Sequence, residues 1–357
     1  MKRLFWLLLI PIAFIINVIA SNFQAFTENV LSLGFYKISS QIVSFVFSLV
    51  PFSVAEVLLI AIPLVLVTTL IISIYKSIKR KNFKSIKTFG INVAVGASFI
   101  YFLFVMLCGV NYYRYNFEYY YFENEGKSQY SAEELEKLCV HLIEEGSKLR
   151  SKISDADLEV SAFELSQMAY ESFVDFKKDY DVFSATYSKP KPILLSALMS
   201  HTQITGFYFP FTVEANVNVA FPSYEIPFTM LHEQAHQYGF MREDEANFIA
   251  FLAGENSKYD IVKYSAYMSA SVYAMNSLYS ADSERFNRVY QIYSEKQLED
   301  KKDSRDYWEQ FEDKIISNTF TQVNDTYLKA NGQTEGVVSY GKVTELLLRD
   351  FYSNKFN

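Results

Sequence analysis

The chain has 357 residues, of which 50% are hydrophobic and 17% aromatic, and its formal net charge is −7. The charge is uneven, because Glu28 and Glu56 are the only acidic residues among the first 110, whereas the remainder is strongly acidic. This excludes a single uniform soluble domain and argues against a nucleic-acid partner. Only two cysteines occur, which excludes a disulfide scaffold and a four-cysteine zinc site.

Three N-terminal segments are apolar enough, and about long enough, to cross a bilayer, which requires about 20 helical residues. They span 4–20, 54–75 and 88–110. We therefore predict a membrane region over residues 1–111 and a bilayer as partner. The first segment also resembles a signal peptide cleaved before Ser21, although an uncleaved helix is favoured.

A fourth apolar stretch, Ile42 to Val50, is too short to span a bilayer, and we interpret it as interfacial or re-entrant. The orientation of the three segments follows from the basic residues, which are retained on the cytoplasmic side of short loops. The loop between the second and third segments contains Lys76, Lys79, Arg80, Lys81, Lys84 and Lys87. We expect a multi-pass protein of the cell membrane whose chain after Asn111 is extracytoplasmic.

Tyr and Phe dominate the run from Tyr112 to Phe122. Amphipathic rings are favoured at the headgroup layer of a bilayer, so this run predicts an outer aromatic belt. A base-stacking surface is the alternative, but Arg114 is the only basic residue among the rings.

Residues 112–357 have the composition of a globular domain. Two capping-box patterns predict helices over 131–152 and 161–178. β-Branched and aromatic residues between Pro190 and Val219 predict short strands, and helical periodicity returns after Pro227. The further predicted helices lie near 228–238, 243–255, 258–280, 283–296, 303–330 and 338–353. The expected class is α+β, mostly helical, with a small sheet.

The motif that carries chemistry is His232-Glu233-Gln234-Ala235-His236. Histidines four residues apart on a helix leave the same face one turn apart, so both imidazoles can bind one Zn²⁺. Glu233 is offset on the turn, where its carboxylate can reach a water beside the metal as a general base. The alternative is a surface helix with two unrelated histidines.

A catalytic zinc site has three protein ligands, and an acidic cluster follows at once. Gly239 permits a tight reversal, so a second helix starting near Glu243 would present its first turn to the metal. Glu243 is the first candidate ligand, followed by Glu245 and then Asp244. The alternative is an acidic helix N-terminus that needs no metal.

The pattern of His232-Glu233-x-x-His236 followed by Glu243-x-x-Ala246-Asn247 resembles the gluzincin branch of the zincin metallopeptidases. The resemblance implies a zincin-like domain with metal ligands His232, His236 and Glu243, base Glu233, and Asn247 supporting a liganding histidine. In well-studied gluzincins the third ligand lies further along the chain, so Glu245 and Asp244 stay open as alternatives.

Other features resemble an uncharacterised bacterial membrane family, domain of unknown function 3810. They are the three apolar segments and the motifs at 206–212, 214–216, 227–229 and 339–341. This resemblance implies a membrane-anchored zinc peptidase without a known substrate.

Zincins commonly bind substrate as an added β-strand, and Val213 to Val219 is a candidate for that role, or else an ordinary core or surface strand. A further donor to the oxyanion is expected from His201, Tyr208, Tyr238 or Arg242.

The leading hypothesis from sequence is a membrane-anchored zinc-dependent peptidase that hydrolyses a peptide or protein substrate, with Glu233 as general base. The alternative is a non-catalytic membrane sensor or scaffold with a structural or vestigial metal site. Hydrolysis of another substrate, such as cell-wall peptide, is a third possibility.

Overall fold

The computed structural model describes residues 2–123, 129–312 and 340–355, with single residues at 319, 322, 325, 326 and 329. Most of the second half of the helix predicted over 303–330, and Ser339, lie outside the described residues. The chain divides into two compact units. The first is Met1–Tyr115 with Phe209–Glu214, and the second is Asn116–Tyr208 with Ala215–Asn357.

The first unit contains four helices that are long and apolar enough to cross a membrane. Their bounds are Arg3–Asn22, Gln24–Ser48, Val54–Lys79 and Lys84–Tyr113. The sequence predicts only three, because Ser, Asn and Glu residues interrupt the second helix and only its end, Ile42 to Val50, is continuously apolar. These helices are compatible with association with a membrane.

Small side chains bring the first and last of these helices together. Ala13 and Ala20 are fully buried against Val105 and Val110. In the same unit, the Glu214 carboxylate accepts hydrogen bonds from the backbone N–H groups of Val54 and Ala55. A carboxylate at this position stabilises the helix N-terminus.

The second unit is mostly helical, as predicted. Ser131 and Ser161 both form capping boxes, which begin the first two long helices where the sequence places them. The long helices of this unit are Ala132–Arg150, Ala162–Phe176, Ile226–Gln237, Glu243–Glu255, Asp260–Ala281, Ser283–Tyr290, Glu295–Glu309 and Tyr340–Lys355.

Two predicted helix bounds near the C-terminus are wrong. The helix predicted over 283–296 ends at Tyr290, and a separate helix, Glu295–Glu309, replaces the start of the one predicted at 303. The cause is a capping box at Ser294, whose hydroxyl accepts from the Gln297 N–H while the Gln297 side chain accepts from the Ser294 N–H.

A three-stranded sheet is present, in the order β1-β3-β2, with β1 at Lys191–Pro192, β2 at Gly206–Phe209 and β3 at Glu214–Val217. β1 and β3 are parallel, with Lys191 opposite Asn216. Because β3 is paired on both sides, the interpretation of Val213 to Val219 as a strand that accepts an added substrate strand is wrong. Among the described strands, β1 and β2 lie at the two edges of the sheet.

The predicted aromatic belt is wrong for Phe117. This side chain is fully buried within the second unit, and its ring lies 5.5 Å from the rings of Phe183 and Phe240 and 6.3 Å from that of Phe248. Tyr119, in contrast, is 67% exposed. Aromatic density alone could not distinguish a membrane belt from a core, because both environments favour these rings.

Candidate metal centre

Two consecutive helices of the second unit present the predicted metal-binding residues. Pro227 lies in the first turn of Ile226–Gln237, where its missing N–H costs nothing. The helix ends at Gln237, and Gly239 follows with a φ of 85° in the left-handed region, while the Phe240 N–H donates to the Ala235 carbonyl. The next helix then begins at Glu243.

This turn brings His232, His236 and Glu243 together. Their potential ligand atoms all lie within 4.8 Å of one another, and they are the only such cluster of three or more among the described His, Cys, Asp and Glu residues. The two imidazole Nε2 atoms are 3.1 Å apart. Glu243 Oε2 lies 3.2 Å from His232 Nε2, and its Oε1 lies 3.7 Å from His236 Nε2.

Hydrogen bonds at the far side of each imidazole fix its tautomer. His232 Nδ1–H donates to Asn247 Oδ1 at 2.8 Å, and His236 Nδ1–H donates to the Phe240 carbonyl at 2.7 Å. Both Nε2 lone pairs therefore face the same point, close to the Glu243 carboxylate. Three acceptors in contact repel one another unless a cation or a proton lies among them.

The pKa values show how the cluster responds without a metal. Burial lowers the His232 pKa, but the hydrogen bond and charge of Glu243 outweigh burial and raise it to about 9. Burial and the positive charge of His232 lower the His236 pKa to about 4. Burial raises the Glu243 pKa, but His232 more than compensates and lowers it to about 2. The Glu243 carboxylate thus favours a positive charge among the three groups.

Zinc fits this set of donors. Zinc–nitrogen and zinc–oxygen bonds of about 2.0–2.2 Å at tetrahedral angles place ligand atoms roughly 3.3–3.5 Å apart. The observed separations of 3.1, 3.2 and 3.7 Å bracket that value. Three protein ligands would leave a fourth coordination position for water.

Glu233 lies beside the cluster without joining it. Its side chain is buried, and Oε2 has no hydrogen-bond partner among the described residues. Burial raises its pKa to about 8, with the charges of His232 and Glu243 acting in opposite directions. A buried carboxylate oxygen without a partner is costly, which indicates a position kept for a ligand or water.

The alternative third ligands face a different partner. Asp244 Oδ2 lies 3.4 Å from Arg242 Nη2, and Glu245 Oε1 lies 3.8 Å from Arg242 Nε. Arg242 also donates to Asn116 Oδ1 at 3.3 Å. Among the three acidic candidates, the structure brings Glu243 to the histidines.

Of the four expected oxyanion donors, Tyr208 lies beside the candidate metal-binding residues, with its ring centroid 6.4 Å from that of His236. Tyr238 is buried and stacks on Phe173 at 4.8 Å. The exposed His201 packs edge-on against Phe311. Arg242 contacts Asp244, Glu245 and Asn116, as described above.

Sequence reasoning missed two residues at this centre. The Tyr273 hydroxyl donates to Asn247 Oδ1 at 3.1 Å, so it helps to hold the amide that orients His232. Gly206 lies so close to Glu233 that an added Cβ would come within 2.7 Å of Glu233 Oε1. Tyr273 gives no local sequence cue because it is on another helix. Gly206, the first residue of a short strand, could have indicated a close approach of another group to the backbone.

A family model described as a protein of unknown function (DUF3810) matches residues 31–348. The chain belongs to this family. The DUF3810 match includes the whole candidate metal centre and most of the apolar N-terminal region, and it begins within the helix Gln24–Ser48. No curated protein and no solved structure matches the chain.

Proposed function

We propose that this DUF3810 protein is a membrane-anchored zinc peptidase with the ligands His232, His236 and Glu243. The observation that carries the proposal is the convergence of three ligand atoms within 4.8 Å beside the buried, unpartnered oxygen of Glu233. A helix with two histidines and an adjacent free carboxylate is the arrangement that hydrolysis by an activated water requires.

When bound, zinc would polarise a carbonyl and acidify a water molecule. The chain's own residues supply the proton transfers. Glu233 Oε2 accepts a proton from the attacking water, and the same carboxyl group donates it to the leaving amine nitrogen. Asn247 and the Phe240 carbonyl hold both imidazoles with Nε2 directed toward Glu243.

The edge strand β2 is the proposed place for an extended substrate. This strand carries Gly206, which lies against Glu233, and Tyr208, which lies near His236. A strand at the edge of a sheet can bind a peptide as an added strand. Peptide or protein is therefore the favoured substrate class.

The proposed location is the cell membrane. Basic residues between the helices Val54–Lys79 and Lys84–Tyr113 favour a cytoplasmic position for that loop. The chain after Tyr113 would then emerge on the extracytoplasmic side.

Comparison of protein termini tests the activity without a known substrate. Membranes from cells that express the full chain would be compared with membranes that contain Glu233→Gln. We expect new N-termini with the wild type, and their loss with Glu233→Gln despite unchanged zinc content. The matched control is Glu295→Ala, which removes an exposed carboxylate from the first turn of another helix.

Identical termini in wild type and Glu233→Gln, with zinc bound in both, would contradict the peptidase. That result would favour the non-catalytic sensor or scaffold, in which the metal site has a structural role.

A further inference from the structure

The helix Gln24–Ser48 is long and apolar enough to span a bilayer, but its two ends are held at the same end of the first unit. Its neighbours define that end. Val54–Lys79 and Lys84–Tyr113 form a helical hairpin closed by a short link, where the Ile86 N–H donates to Ser77 Oγ at 3.3 Å. Val54 and Tyr113 therefore both lie at the end opposite the link.

The helix Gln24–Ser48 starts beside Tyr113. The Gln24 side chain donates to the Arg114 carbonyl at 3.0 Å. The Arg114 guanidinium forms a buried ion pair with Glu28, with Nη2 at 2.6 Å from Oε1, and the Tyr115 N–H donates to Glu28 Oε2. This network fixes the first turns of the helix at the Tyr113 end.

The helix must also finish near that end. Only residues 49–53 connect Ser48 to Val54, and a link of this length spans at most roughly 20 Å. The hydrocarbon core is about 30 Å thick. If Ser48 lay at the far face, the link could not reach Val54.

The side chains of this helix separate into two faces. Ser32, Tyr36, Ser40 and Ser44, spaced four apart, are buried within the unit. The opposite face is apolar and between 46% and 72% exposed. Its members are Phe35, Ile38, Ile42, Phe45 and Leu49. Leaving such a stripe in water would cost about 25 cal/mol for each Å².

We propose that Gln24–Ser48 does not cross the membrane but lies in its surface, with the Phe35–Leu49 face inserted among lipid acyl chains. Three helices of the first unit would then span the bilayer. The occupant is lipid rather than a second copy, because the other apolar helices of the same unit also expose large apolar side chains, such as Leu64 at 62% exposure. This inference does not depend on peptidase activity.

The charged residues of the helix indicate whether it needs anionic lipid. Glu28 and Lys37 are the only charged residues of the helix, and Glu28 is paired with Arg114. Binding through buried apolar area rather than through a basic face needs no anionic lipid. The helix should therefore insert equally into zwitterionic and anionic bilayers.

Depth measurement on the full chain in single-copy nanodiscs of phosphatidylcholine tests the proposal. Fluorophores would be placed on Val30→Cys, Ile38→Cys and Phe45→Cys after replacement of the buried Cys108 and Cys139 by Ala. We expect quenching by brominated lipids at one shallow depth for all three. Leu64→Cys, within a spanning helix, provides the deep control.

A crossing helix would instead separate the depths of Val30 and Phe45 by about 20 Å, and this result would overturn the proposal. A second measurement uses a membrane-impermeant thiol reagent on Ser21→Cys, Pro51→Cys and Lys81→Cys in sealed vesicles. We expect the first two to react from one side and Lys81→Cys from the other. Reaction of Ser21→Cys and Pro51→Cys from opposite sides would also overturn it.

A second copy as occupant gives a different result. If a second copy covered this face, brominated lipids would not quench the three fluorophores in vesicles that hold many copies of the chain. Ile42→Cys would then form a crosslinked dimer. That outcome would refute lipid as the partner of this face.

Discussion

At the scale of single residues, the candidate centre depends on groups that hold the histidines as much as on the histidines. Asn247 Oδ1 accepts hydrogen bonds from both His232 Nδ1 and the Tyr273 hydroxyl. Such supporting contacts typically change metal affinity by 10–100-fold. The orientation of His232 therefore rests on a chain of contacts that joins three helices.

Asn247→Ala is expected to weaken zinc binding by 10–100-fold, because His232 loses the acceptor that fixes its tautomer. Asn247→Asp keeps an acceptor oxygen and should stay within a few-fold of the wild type. Competition with a chromogenic chelator measures both affinities. Equal affinity of Asn247→Ala and wild type would show that Asn247 does not orient the ligand.

Glu255 is a residue whose ionisation should affect stability. Burial and the nearby charge of Asp350 raise its pKa to about 8, against a partial opposing effect of the Tyr267 hydrogen bond. Because its folded-state pKa is raised, its stabilising effect is present below the unfolded pKa of about 4.5 and is lost as pH rises through about 8.

Glu255→Gln, which stays neutral, should therefore unfold at a higher temperature than wild type at pH 9, with a gain of roughly 1–3 kcal/mol. The difference should shrink toward pH 5. Thermal unfolding of the detergent-solubilised chain at the two pH values measures it. A pH-independent difference would show that Glu255 ionisation does not differ between the two states.

At the scale of elements, the turn after His236 and the strand beside Glu233 determine the geometry of the candidate metal centre. The sequence predicts the helix starting near 228, the reversal at Gly239 and the helix from 243 to 255, because these features depend on local residues. The pairing of β3 on both sides and the burial of Phe117 depend on distant contacts, so local pattern could not predict them.

Gly239 adopts a φ of 85°, which costs an L-residue with a Cβ about 1–2 kcal/mol. Gly239→Ala should destabilise the chain by this amount and weaken zinc binding, since the turn sets Glu243 against His236. Asn tolerates this conformation best, so Gly239→Asn should recover most of both properties. Thermal unfolding and zinc titration of the two variants test the prediction. Equal stability and equal zinc affinity of Gly239→Ala and Gly239→Asn would contradict it.

Gly206→Ala would place a Cβ 2.7 Å from Glu233 Oε1 and 2.8 Å from Thr229 Cγ2. Glu233 would have to move, so we expect proteolysis to fall at least tenfold while zinc remains bound. Gly341→Ala is the control, because nothing lies within 4 Å of its added methyl group. Full proteolysis by Gly206→Ala would show that the position of Glu233 is not critical.

At the scale of the whole molecule, the uneven charge of the chain corresponds to two units of different character. The apolar, basic N-terminal region forms most of the first unit, and the acidic remainder forms most of the second, mostly helical unit, which contains the candidate metal-binding residues. The division falls after Tyr115, and the inclusion of Phe209–Glu214 in the first unit had no cue in the sequence.

The proposed peptidase activity requires a zinc ion held by His232, His236 and Glu243. The most direct test is the zinc content of the purified full chain, measured by mass spectrometry for wild type, His232→Ala and Glu243→Ala. His201→Ala is the control, because this histidine packs on Phe311 rather than on the metal-binding residues.

We expect about one zinc per chain in the wild type and the His201→Ala control, and loss of zinc in the other two variants. A folded wild-type chain that binds no zinc, or a Glu243→Ala variant that keeps it fully, would contradict the proposed site.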